Sequence, residues 1–253
     1  MPIIKINNRD VHIQELNKGA AETVLLIHGM FSNLSVYYFN IAPILAEHFH
    51  VVMYDLKSHG MSERTLRGYD LNSMTDDLYA LMEALELDKV YLAGYSFGGL
   101  IALKMALRFP KKINKLAVIE APDPKDEKAR GIIDDYSREF LEHYVENFTD
   151  TTKVKMGKRQ MERNHRMYEY LFYQTSIKDD MIAEKDFLDD PDIAALSKAT
   201  LLLYGVDSNC LETGQWLNEK IKHSELIPVP GDHNIPIQEP VMVGDMINTF
   251  FKN

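Results

Sequence analysis

The sequence predicts an α/β protein with a mostly parallel central sheet and helices on both faces. Three observations carry this expectation. Short, wholly apolar runs alternate with segments of helical hydrophobic spacing, as buried parallel strands and their crossover helices do. One of these strands, Val90–Gly94, runs into Tyr95-Ser96-Phe97-Gly98-Gly99 and then into a second helical pattern. The alternation also stops once, from Ala121 to Ala199, where no convincing apolar strand is found.

The elements follow in order. Ile3–Ile6 and Val11–Leu16 flank Asn7-Asn8-Arg9-Asp10 and predict an opening antiparallel hairpin. Thr23–Ile27 is a strand, and a helix is expected from about Val36 to His48 before the strand Val51–Tyr54. Met74, Leu78, Leu81, Met82 and Leu85 repeat at helical spacing and place a helix over residues 73 to 86. After the strand from Val90 comes a helix over 97 to 108, stopped by Pro110, and then the strand Leu116–Ile119. Thr200–Tyr204 resumes the sheet, and Glu225–Val229 is its last strand. The expected organisation is a core of residues 1–120 and 200–253, with residues 121–199 inserted as a helical cap.

Bulk properties narrow the function classes. The chain has 253 residues, 45% of them apolar, enough for one large core or a core with an insertion. A net charge of −10 argues against general nucleic-acid or anionic-membrane binding, which needs clustered Lys and Arg. No signal-like apolar stretch opens the sequence and no run approaches the ~20 residues that span a bilayer, so a cytoplasmic location is expected. Cys210 is the only cysteine. It allows no intramolecular disulfide or cysteine metal site and is read as a reduced thiol without a role.

The junction around Ser96 carries the chemistry. A serine hydroxyl is a poor nucleophile at neutral pH and gains from a tight turn that lifts it beside a base and two unpaired N–H donors. Such a turn tolerates only very small neighbours two residues to either side, here Gly94 and Gly98. The following helix presents its N-terminus to developing negative charge.

Several further motifs resemble the α/β-hydrolase superfamily in order and spacing. His28-Gly29 follows a strand and resembles the family's His-Gly turn. Asp55-Leu56-Lys57-Ser58-His59-Gly60-Met61-Ser62 resembles its Asp-x-x-x-His-Gly-x-Ser loop, and Gly231-Asp232-His233 resembles the segment that carries the triad histidine. The resemblance covers essentially the whole chain. It implies a capped serine hydrolase of esterase or thioesterase type, with Ser96 as nucleophile, His233 as base and the Met30 and Phe97 backbone N–H groups as oxyanion hole. His28 and His59 are then buried, loop-locking residues. His12, His48, His50, His143, His165 and His223 lack such context and are expected to be mostly solvated.

Asp207 is the expected acid, because it lies just past the strand Thr200–Tyr204 and gives the chain order Ser, Asp, His. Glu120, at the end of the strand before the cap, is the alternative, since some family members take the acid from there. Asp232 is read as a loop carboxylate. Phe31, Leu34 and Tyr37 are the expected substrate-lining residues, beneath a cap rich in Tyr, Phe and Met. Cap residues Lys153, Lys155, Lys158, Arg159, Arg163 and Arg166 form a basic run, either a solvated face or a docking site for a carrier protein or coenzyme A thioester. No cofactor or metal is implied. The same triad would serve carbon–carbon bond hydrolysis or acyl transfer to another acceptor. A non-hydrolytic binding protein or receptor on the same fold is the reading from another class.

Overall fold

The computed structural model describes residues 2–125 and 158–253. Eight strands form one sheet in the order β1-β2-β4-β3-β5-β6-β7-β8, where β1 is Ile3–Ile6, β2 Arg9–Leu16, β3 Thr23–Ile27 and β4 His50–Tyr54. The rest are β5 Val90–Tyr95, β6 Ile113–Ile119, β7 Thr200–Gly205 and β8 Ser224–Val229. The β1/β2 and β2/β4 pairs are antiparallel, and every pair from β4 through β3 to β8 is parallel. All five residues of β3 and all six of β5 are buried, as strands covered on both faces must be.

The two-residue period of the strands divides the apolar residues between two cores. Leu25, Ile27, Val52 and Leu92 face the helices α3 (Leu71–Ala84) and α4 (Phe97–Arg108). Val24, Leu26, Val51 and Ala93 face the opposite layer, built from α1 (Ser35–Tyr38) and α2 (Ile41–Ala46) together with the C-terminal helix Pro240–Lys252.

The opening hairpin is tighter than the sequence predicts. Asn7 and Asn8 alone form its turn, at φ of 50° and 64°, and Ile6 pairs with Arg9. Asn tolerates this left-handed region better than most residues, which suits a two-residue turn. The single helix expected over Val36 to His48 is two helices. Pro43 has no N–H to donate to the Phe39 carbonyl and its ring crowds that group, so a continuous helix breaks there. Asp70 caps α3 by accepting from the Ser73 N–H.

Between β6 and β7 the described residues include helices α5 (Lys158–Gln174) and α6 (Ile177–Ala183) and two 3-10 turns, with no strand among them. Tyr168, Leu171 and Phe172 of α5 are buried against the α3/α4 side of the core. Among the described residues no helix is long and apolar enough to cross a membrane. The remaining helices among the described residues are α7 (Leu211–Lys220), α8 (Ile235–Gln238) and α9 (Pro240–Lys252), the last being the C-terminal helix.

Candidate active site

Ser96 sits between β5 and α4 at φ 55°, ψ −121°, a strained conformation for a residue with a side chain. The surroundings hold it there. The Ser96 N–H donates to the Ile119 carbonyl at 2.8 Å, and the Ser96 carbonyl accepts from the Gly99 N–H at 2.8 Å. A Cβ on Gly94 would run into the Gly98 carbonyl, and one on Gly98 into the Ile27 carbonyl. Both positions therefore need glycine because backbone passes against backbone.

His233 lies on the loop after β8, and its Nε2 is 3.1 Å from Ser96 Oγ. Its Nδ1 is 3.1 Å from Glu120 Oε2. Glu120 follows β6 immediately, at φ 55°, and is 0% exposed. Its carboxylate reaches across the end of β7, where it accepts from the Gly205 N–H and the Ser208 hydroxyl. Three donors thus converge on one buried carboxylate, the arrangement that lets an interior charge persist.

The expected acid, Asp207, is not the group the structure places against the imidazole. Its side chain is exposed on the loop after β7, while its backbone N–H donates to the Gly231 carbonyl at 2.9 Å. The Nδ1 face of His233 is occupied instead by Glu120 and by Cys210, whose Sγ is 3.6 Å from Nδ1. Asp232 accepts from the Asn234 N–H and side-chain amide within its own loop.

The electrostatics follow from this packing. Burial disfavours charge on His233, but hydrogen bonds to Cys210 and Glu120 and the charge of Glu120 outweigh it and raise the imidazole pKa above its ordinary value. In the neutral imidazole a carboxylate at Nδ1 fixes the proton on that nitrogen and leaves the Nε2 lone pair for the serine hydroxyl.

The Phe97 amide is the first of α4 and belongs to the four N–H groups that a helix N-terminus leaves without an intrahelical partner. Met30 follows Gly29, where an added Cβ would stand 2.9 Å from the Ser96 Cβ, so this loop passes directly beside the serine. His28 and Asp55 hold the loop. The Leu56 N–H donates to His28 Nε2 at 3.0 Å, and Asp55 accepts from the Leu34 and Met61 N–H groups at 2.8 Å each. Burial lowers the pKa of His28, and burial together with the neighbouring His28 lowers that of His59 to about 3.

Two of the expected substrate-lining residues lie elsewhere. Tyr37 is 0% exposed in the second core, with its hydroxyl donating to the Ile27 carbonyl at 3.0 Å. Leu34 is buried in the same core. Both sit on the layer that covers the sheet, and the helical turn aims them inward. Phe31, half-buried at φ 61°, follows Met30, and its ring meets Tyr168 at 5.4 Å and Phe172 at 5.5 Å. His12 and His50, in the group expected to be mostly solvated, are buried against Asp55 at 2.7 Å and Glu15 at 2.9 Å, because each is paired with a carboxylate across the β2/β4 pair. In the basic run, Arg163 and Arg166 are exposed on α5. Lys153 and Lys155 lie outside the described residues, as do the side chains of Lys158 and Arg159. Ser208 and Cys210 were not singled out by any sequence motif, and only the packing of the β7 loop on His233 reveals them.

A sequence model described as the alpha/beta hydrolase fold matches residues 22–171 of the chain. The chain belongs to the alpha/beta hydrolase family. Among relatives of this alpha/beta hydrolase, the AB hydrolase superfamily protein YisY of Bacillus subtilis is 25% identical over 249 residues, covering 92% of each chain. A 2-hydroxy-6-oxo-2,4-heptadienoate hydrolase of Pseudomonas putida is 26% identical over 242 residues, covering 82% of this chain and 80% of its own. An esterase from Exiguobacterium antarcticum superposes with a TM-score of 0.80 at 20% identity over 99% of each chain, a likeness of fold.

Proposed function

We propose that this alpha/beta hydrolase cleaves a carboxylic ester or thioester through an acyl-enzyme on Ser96. One observation carries the reading: an unbroken chain of hydrogen-bond contacts from Ser96 Oγ through His233 to the buried Glu120 carboxylate, 3.1 Å at each step. In the proposed reaction Ser96 Oγ attacks the carbonyl carbon while His233 Nε2 takes the hydroxyl proton. Glu120 stabilises the imidazolium, and the Met30 and Phe97 amides receive the oxyanion. His233 gives its proton to the leaving alcohol or thiol, then takes one from water as the water attacks the acyl-enzyme.

The test is intact mass after brief exposure to activated oxygen esters and acyl-pantetheine thioesters, with Ser96→Ala alongside. An acyl adduct on the wild type alone is the expected result, and the group that loads fastest names the substrate class. Absence of any adduct from a folded protein that also resists a fluorophosphonate would overturn the reading in favour of a binding role.

A second reading is supported by the Pseudomonas putida relative, which is named for hydrolysis of a 2-hydroxy-6-oxo-dienoate. Cleavage of a carbon–carbon bond in such a compound would use the same serine and histidine. Turnover of a vinylogous diketone faster than of any ester would favour it.

A further inference from the structure

Cys210 stands where a bystander thiol would not need to be. It is 4% exposed, at the N-terminal end of α7, and its backbone N–H donates to Ser208 Oγ, which in turn donates to Glu120. Its Sγ shares with Glu120 the Nδ1 side of His233. One ligand atom from each of Glu120, Cys210 and His233 lies within 4.8 Å of the other two.

These are an oxygen, a sulfur and a nitrogen donor, and the two distances to the nitrogen are near those a tetrahedral ion would set. With Zn–N near 2.05 Å and Zn–S near 2.3 Å, a tetrahedral angle puts nitrogen and sulfur about 3.6 Å apart and nitrogen and oxygen about 3.4 Å apart. The structure has 3.6 Å between Cys210 Sγ and His233 Nδ1 and 3.1 Å between Glu120 Oε2 and Nδ1. The sulfur and the carboxylate oxygen lie within 4.8 Å of each other, and drawing them toward about 3.6 Å completes three corners. The His233 side chain is 34% exposed and Glu120 and Cys210 are buried, so the cluster lies beneath a partly solvent-accessible imidazole.

We propose that Glu120, Cys210 and His233 form an inhibitory site for a thiophilic divalent cation, Zn2+ or Cd2+, that silences the enzyme by ligating His233 at Nδ1. The inhibition rests on the acyl-enzyme reading; the binding does not. A metal at Nδ1 takes the lone pair of that nitrogen, so a neutral imidazole must keep its one proton on Nε2. The acceptor for the Ser96 proton is then gone. Binding also releases the thiol proton of Cys210, since the ligand is the thiolate. A sulfur and nitrogen donor pair selects Zn2+ and Cd2+ over Mg2+ or Ca2+, which prefer all-oxygen shells.

The test uses the full chain, freed of metal by chelation. Zn2+ is titrated while hydrolysis of an activated ester is followed, and Cd2+ while the ultraviolet thiolate-to-cadmium absorption is recorded. The wild type should lose activity and develop the absorption, and Mg2+ at the same concentrations should do neither. Ser96→Ala should turn nothing over yet develop the same absorption. Cys210→Ser should lack the absorption and need about tenfold more Zn2+, or beyond, to halve its own metal-free rate. Cys210→Ala serves the same comparison if the serine variant does not fold. Inhibition at wild-type Zn2+ concentrations in a folded Cys210 variant, or no thiolate absorption in the wild type, would overturn the site. Failure of the metal-free wild type to react with a fluorophosphonate, with the absorption intact, would remove the acyl-enzyme reading and leave the metal site standing.

Discussion

In the proposed reaction Glu120 is the acid, because its carboxylate is buried, holds donors from Gly205 and Ser208, and meets His233 Nδ1. Glu120→Gln keeps the shape and removes the charge that stabilises the imidazolium. In a comparable triad the acid-to-amide change lowers turnover about 10⁴-fold, and a loss of roughly three to four orders of magnitude in kcat/KM is expected here. Asp207→Asn changes an exposed side chain and should leave kcat/KM within about twofold, because the carboxylate at His233 Nδ1 is that of Glu120. Steady-state kinetics on one activated ester distinguish the two carboxylates. A larger loss from the Asp207 variant would return the acid to the loop after β7.

At the scale of an element, α3 shows how a single cap anchors a helix that covers the sheet. Asp70 accepts from the Ser73 N–H at 2.9 Å and the Ser73 hydroxyl at 2.6 Å. Burial alone would raise its pKa, but these bonds outweigh it and hold the carboxyl below its ordinary value. The charged form is therefore worth more folded than unfolded. That contribution is complete above the unfolded carboxyl's pKa and disappears as pH falls through the lower folded value. Asp70→Ala should cost about 1 kcal/mol, a decrease in Tm of roughly 2–4 °C for a chain of this length, at neutral pH. The difference should shrink in acid, which thermal melts of both proteins at neutral and low pH would measure. An undiminished difference at low pH would mean that packing, and not the charged cap, carries the effect.

For the molecule as a whole, the buried pair His28 and His59 couples folding to pH. Their rings lie 5.3 Å apart at 0% and 2% exposure, and both pKa values are depressed, that of His59 to about 3. Unfolding exposes two imidazoles of ordinary pKa, near 6.5. Above that value neither state holds the extra protons and the two rings make no pH-dependent difference. Below it the unfolded chain binds protons that the folded protein refuses, so stability falls as pH drops from about 6.5 toward the folded values. Urea melts between pH 7.5 and 5 should show a falling midpoint, and replacing His59 by Gln in a variant that folds should flatten the slope. A slope unchanged by that substitution would assign the acid sensitivity to other groups.

Much of this was written in the chain locally. The all-apolar runs of β3 and β5 announce strands buried on both faces, and the glycines around Ser96 announce a turn where backbone must pass backbone, because both features act through near neighbours. Pro43 was equally legible in principle, since it breaks its helix through a bond four residues away. Which carboxylate meets His233 was not. Asp207 and Glu120 both follow strands, and no local signal says which carboxylate crosses to the histidine. That depends on β6 and β7 lying side by side, with Glu120 reaching the Gly205 N–H and the Ser208 hydroxyl beyond it. The burial of Tyr37 and the meeting of Cys210 with His233 have the same origin. The sequence by itself determined the alternating elements, the serine turn and the histidine loop, because short-range sterics and hydrophobic periodicity encode them. Only the tertiary structure decided which side chains complete the site, because contacts between distant segments are set by the packing of the sheet.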